Sequence, residues 1–131
     1  MQGETELRAL LENMKAILNE GDYVFCTTKD VKEVDFNNVI MAFKEHEGTT
    51  IILKQEEADR LHLKYSFIVA WITLTVHSSL EAIGLTAAFS KALTEDNISC
   101  NVVAGYFHDH IFVDKKDAQK AIAVLNRLST D

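Results

Sequence analysis

Phe67 to Val76 reads FIVAWITLTV. Phe67, Val69 and Trp71 fall on one alternating face and Ile68, Ile72 and Leu74 on the other, so both faces are apolar. A strand of that kind is covered from two sides, which predicts a central place in its sheet or a place at an interface. Just downstream, Ser78-Ser79-Leu80-Glu81 has capping-box spacing: Ser78 can bond the Glu81 amide while Glu81 reaches back. The helix opened there is expected to run to about Glu95, with Leu85, Phe89, Ala92 and Leu93 along one side and Asn97 as a left-handed stop. Ile98 to Phe107 and His110 to Val113 then read as a strand pair around a His108-Asp109 turn. Asp114 caps a last helix whose stripe is Ala118, Ala121, Ile122, Leu125 and Leu128.

Upstream the pattern is weaker. Residues 5–18 carry Leu7, Leu10, Leu11, Met14, Ile17 and Leu18 at helical spacing, with Thr5 as the expected N-cap and Gly21 beyond the end. Tyr23 to Thr28 (YVFCTT) reads as a strand and Lys29 to Asn38 as a loop. Val39 to Glu45 and Thr49 to Lys54 read as strands around a His46-Glu47-Gly48 turn, and Gln55 to Leu61 as a short helix. The order is α-β-β-β-α followed by β-α-β-β-α, and strand–helix–hairpin–helix is most of a ferredoxin-like unit. The expected class is α+β, with antiparallel sheets and helices packed on one face. Two halves, 1–64 and 65–131, are each marginal alone and are expected to complete one another.

The chain has 131 residues, 47% hydrophobic and 25% charged, which fits one compact unit with its own core. A net charge of −7 removes any long-range attraction to phosphate backbones or anionic lipid, so nucleic acid and membrane surfaces are not expected partners. FIVAWITLTV is the longest apolar run and is about half of a membrane span. The start, with Glu4 and Glu6, lacks the basic-then-apolar pattern of a leader, and the expected location is cytoplasmic. Cys26 and Cys100 stand far apart in strand-like runs, as free core cysteines do.

Chemistry-bearing residues are few. His108-Asp109-His110 is the tightest polar cluster, and an extended H-x-H points two imidazoles the same way. A metal would need a third ligand recruited from His77, Glu81, Asp96 or Cys100, so a turn or small-ligand role is favoured and no metal or other cofactor is expected. Cys100 alternates in phase with Ile98 and Val102, which favours a core thiol over a thiol–imidazole pair with His108. No serine has a nucleophile-elbow context, and paired acids such as Glu56-Glu57 and Glu95-Asp96 read as solvated. Gly84 inside the expected helix and Gly105 inside the expected strand mark close approach by a neighbour or ligand. Asn101 interrupts an apolar strand, either to meet a ligand or because that face is exposed.

The run SSLEAIGLTAAFSKALTEDNISCNVVAGYFHDHIFVD, Ser78 to Asp114, strongly resembles the signature of small bacterial ACT-domain proteins of unknown function. These are similar to the tandem ACT-like modules of the cytosolic arginine sensor. LLENMKAILNEGDYVFCT and AFKEHEGTTIILKQEEAD match as well, so the resemblance covers nearly the whole chain; it departs at Lys15-Ala16, where the family often has a proline. It implies a tandem ACT-like fold and a non-catalytic regulatory module that binds a small molecule, an amino acid first. Carried onto this chain, the ligand-binding residues are Ser78, Glu81, Gly84, Asn101, Gly105, His108, Asp109 and His110. The amides opening the helix at Ser79 to Ala82 would hold a carboxylate, and Asp109 or Glu81 an ammonium, Asp109 being favoured by the arginine sensor. The two histidines would tune side-chain preference. A homodimer and a separate protein partner are implied. The alternatives are an interaction module without ligand and a metal-dependent enzyme on His108, Asp109 and His110.

Overall fold

A computed structural model describes residues 2–75 and 84–130. The chain divides into two compact units, residues 1–19 with 70–131, and residues 20–69. This grouping takes the first nineteen residues out of the linear half 1–64 and places them with the second half.

The first unit holds α1 (Gln2–Asn13), β1 (Ala16–Leu18), most of β5, α3 (Leu85–Glu95), β6 (Cys100–Ala104), β7 (Asp109–Asp114) and α4 (Ala118–Thr130), where β5 is Ile68–Leu74. β7 lies between β5 and β6, so β5, α3 and β6 form a split βαβ unit, as the element order predicts. β1 pairs antiparallel with the other edge of β5, Ala16 opposite Leu74 and Leu18 opposite Ile72. One face of this sheet presents Ala70, Ile72, Leu74, Ile111 and Val113 to the helices. Leu85, Phe89 and Leu93 of α3 and Ala118, Ala121, Val124 and Leu125 of α4 close over them, joined by Leu7, Leu10 and Leu11 of α1. Val69, Ala70, Ile72, Thr73 and Leu74 are all buried, so β5 is covered on both faces as its sequence requires. Phe67, just outside the strand, is exposed.

Residues 5–18 are not one helix. α1 begins at Gln2, which places Thr5 inside it rather than at its cap, and it stops at Asn13. Ala16–Leu18 is extended because its backbone bonds go to β5: the Thr75 amide donates to Lys15 O and the Asn19 amide to Trp71 O, each at 2.9 Å. A long-range ladder outweighs a local helical period, which for three residues is worth only tenths of a kcal/mol. Gly84 is not inside a helix either; it is the N-cap of α3 at φ +91°, a conformation that L side chains rarely adopt. Asn97 ends α3 at φ +63°, as expected. Asp114 caps the 3-10 turn Lys115–Asp117 that leads into α4, accepting from the Lys116 amide at 3.1 Å.

The second unit holds β2 (Tyr23–Thr28), β3 (Val39–Lys44), β4 (Thr49–Lys54) and α2 (Gln55–Arg60), with the opening residues of β5 beside β2. β4 pairs with both β3 and β2 in antiparallel register. Alternation sends Val24, Cys26, Ile51 and Leu53 to one side, where Ala58 of α2 and Val34 complete a small core. The expected loop 29–38 contains two 3-10 turns, Val31–Glu33 and Phe36–Asn38, each begun by an aspartate whose carboxylate takes an amide two residues on. Among the described residues no helix is long and apolar enough to cross a membrane.

This packing sets an expected contrast in stability. Phe89→Ala, at a site with no exposed area, should lower unfolding free energy by about 3–5 kcal/mol. Tyr106→Ala, at a residue 95% exposed, should stay within about 0.5 kcal/mol. Urea titration of both variants measures the difference, and equal losses would contradict the core assignment.

Candidate ligand-binding site

Five of the eight expected residues lie on or beside one hairpin. β6 and β7 pair antiparallel, with Asn101 opposite Phe112, Val103 opposite His110 and Ala104 opposite Asp109. The turn is Gly105 to His108, earlier than the expected His108-Asp109, and is closed by the Gly105 amide donating to His108 O at 2.9 Å. Gly105 therefore starts a turn rather than interrupting a strand. Its reading as a point of close approach holds, because a Cβ there would stand 3.0 Å from His108 O and 3.2 Å from His110 Nε2. His108 ends the turn and His110 lies within the strand. No group of three His, Cys, Asp or Glu able to hold a metal occurs among the described residues.

Alternation along β7 sends Asp109 to the face of Ile111 and Val113, and His110 to the opposite face with Phe112. Asn101 shares His110's face and is exposed. Gly84 stands apart at the head of α3. Ser78, Glu81 and the rest of 76–83, including the capping box, lie outside the described residues.

Three residues that sequence reading passed over organise the face of His110. Trp71 Nε1 donates to His110 Nδ1 at 3.0 Å, and Thr73 Oγ1 lies 3.2 Å from the same nitrogen. Asn19 Nδ2 donates to Thr73 Oγ1 at 2.9 Å and to Trp71 O at 3.2 Å. The Trp71 ring stacks on Phe112 with centroids 6.4 Å apart and is tilted against His110 at 5.7 Å. The sequence reading gives Trp71 only a strand face and assigns Thr73 and Asn19 no role. The available signal was a polar-capable pair at i and i+2 inside an otherwise aliphatic strand.

Burial pushes the His110 imidazole below its ordinary value, with nearby His108 adding to the effect and Asp109 opposing it. Burial pushes the Asp109 carboxyl up, and His110 opposes that. The Cys100 thiol is pushed up by burial against a weaker opposing bond from Ser90, consistent with a core role.

An ACT-domain family model matches residues 2–70 and a second ACT-domain model matches residues 68–127. The chain belongs to the ACT-domain family. ACT domains are regulatory modules that bind small-molecule ligands, and this chain carries two of them in tandem. It is similar to a Vibrio cholerae protein of unknown function, described as a possible transport protein, at 46% identity and TM-score 0.87, covering 97% of this chain and 98% of that one. A protein from Agrobacterium tumefaciens shares the fold at 13% identity and TM-score 0.72, covering 88% and 89%. So does the ligand-free regulatory subunit of aspartate kinase from Thermus thermophilus, at 6% identity and TM-score 0.62, covering 86% and 95%. Comparison with curated proteins gives no match.

The depressed histidine has a pH signature. The unfolded chain binds a proton at His110 more readily than the folded one, so this group's contribution is present above its unfolded value near 6.5 and is lost as pH falls through the lower folded value. Unfolding free energy should therefore decline between about pH 7.5 and 5.5, and His110→Asn, which keeps an acceptor for Trp71, should flatten that decline. Asp109, its carboxyl pushed up from the ordinary 3.8, acts with the opposite sign in the acid range. Denaturant midpoints across the range decide it; an unchanged slope in the variant would refute the assignment to His110.

Proposed function

We propose that this ACT-domain protein is a non-catalytic regulatory module that binds an amino acid, acts as a cytoplasmic homodimer and passes its output to a separate protein. The observation that carries the reading is the tandem ACT match across the chain. The gathering of Asn101, Gly105, His108, Asp109 and His110 at one hairpin supports the location of the site. Residues 1–64 and 65–131 form the two ACT-like halves in this reading. Asp109, the first residue of β7 and half-buried beside the turn, is the proposed partner of the ligand's ammonium. Ser78, Glu81 and Gly84 are the remaining proposed contacts, Gly84 standing at the N-cap of α3.

A second reading is favoured by one feature. Tyr106 and Phe107, at the tip of the same hairpin, are 95% and 72% exposed and pack edge to face at 4.9 Å. Two solvent-facing aromatics are the kind of feature a protein partner covers. An interaction module without ligand would use that tip and would give no response to metabolites.

Thermal denaturation against each standard amino acid separates the two. A ligand at a hundred times its Kd adds about 2.7 kcal/mol, several degrees for a domain of this size. One or a few amino acids should stabilise the protein selectively, and Asp109→Ala should abolish the shift while its ligand-free melting stays close to that of the parent. Silence across the set would favour the interaction reading. An undiminished shift in Asp109→Ala would remove that residue from the site.

A further inference from the structure

The hydrogen bonds around His110 determine where its proton resides. An indole nitrogen can only donate, so the 3.0 Å contact from Trp71 Nε1 makes His110 Nδ1 an acceptor. Thr73 Oγ1, which accepts from Asn19 Nδ2, lies 3.2 Å from the same Nδ1. With Nδ1 committed as an acceptor by the indole N–H, the ring is neutral and its proton is on Nε2. Protonating Nδ1 would set two donors against each other, N–H against N–H.

Nε2–H is then the one donor of this network with no acceptor among the described residues. It points to the start of the hairpin turn, where Gly105 has no side chain to cover it: an added Cβ would stand 3.2 Å from Nε2. The ring is half-buried, so a bond made here is shielded from competing water.

We propose that His110 is a tautomer-locked neutral donor whose Nε2–H takes an acceptor oxygen of the bound small molecule, a carboxylate or carbonyl, and never its ammonium. Trp71, Thr73 and Asn19 are positioning residues that hold the ring and its proton, and Gly105 keeps the approach open. The inference rests on the ligand-binding reading above and assigns one end of the ligand to one atom. A positively charged imidazole is not what binds, because charging the ring at Nδ1 would break the Trp71 bond that orients it.

Nitrogen-15 imidazole spectra of the wild-type protein test the first half without any ligand. His110 should show the Nε2–H tautomer near neutral pH, and Trp71→Phe should convert it to a mixture of the two tautomers. The second half uses the standard amino acid that stabilises the protein most, its analogue lacking the ammonium, and its decarboxylated amine. The amino acid and the acid analogue should move the His110 Nε2 and Hε2 resonances, and the amine should not. Where the free acid moves them and its primary amide does not, the oxygen is a carboxylate; where both do, a carbonyl suffices. His110→Asn and Gly105→Ala should each weaken binding by about tenfold, the loss of roughly one hydrogen bond.

A wild-type Nδ1–H tautomer would overturn the proposal. So would an amino acid that stabilises the protein while leaving His110 unmoved, and in that case the ligand-binding reading would survive. If no amino acid binds at all, both fall together.

Discussion

Everything in the first unit is organised by the double burial of β5. Its even-numbered residues Ala70, Ile72 and Leu74 form the floor on which α3 and α4 pack, and none of the three has exposed area. Its odd-numbered residues Trp71 and Thr73 turn to the other face and meet His110 of β7. One strand thus supplies both the hydrophobic floor and the polar network. A strand held on two faces has little freedom to slip, since a one-residue shift would exchange the two sets. The ring of His110 is therefore located by the same constraint that locates the core.

That coupling explains a polar network in so small a domain. Trp71 and Thr73 have donors that need partners when taken from water, and leaving one unmet costs on the order of 1–3 kcal/mol. His110 Nδ1 accepts from the indole with Thr73 Oγ1 beside it, and Asn19, brought alongside by β1, donates to Thr73 Oγ1 and to Trp71 O. β1 is only three residues long, yet it places Asn19 and closes the free edge of β5.

Most of the architecture was legible because its signals are periodic and local. The two-faced apolar run and the α3 stripe ending at Asn97 each depend on neighbours within a few positions and are found where expected, while Asp114 caps a 3-10 turn ahead of the last helix rather than the helix itself. β1 was not legible. Met14, Ile17 and Leu18 continue a helical period, with no Gly or Pro to break it, and only pairing with β5, more than fifty residues away, makes Ala16–Leu18 a strand. The hairpin turn was misplaced for a related reason. His-Asp looks more turn-like than Tyr-Phe, although Gly105 was the better punctuation. Of the site, the hairpin residues were readable from type and spacing. Trp71 and Asn19 were not, because a tryptophan in an apolar strand counts as core until its indole N–H is seen to have a direction.

Residue-resolved hydrogen exchange, with and without a saturating amino acid, tests the account most directly. Amides of Ala70 to Leu74 should exchange only through global unfolding in both states, and added protection from the ligand should concentrate on 105–110. Early exchange of β5 would contradict its role as the organising strand. Ligand protection confined to other segments, with 105–110 unchanged, would contradict the site.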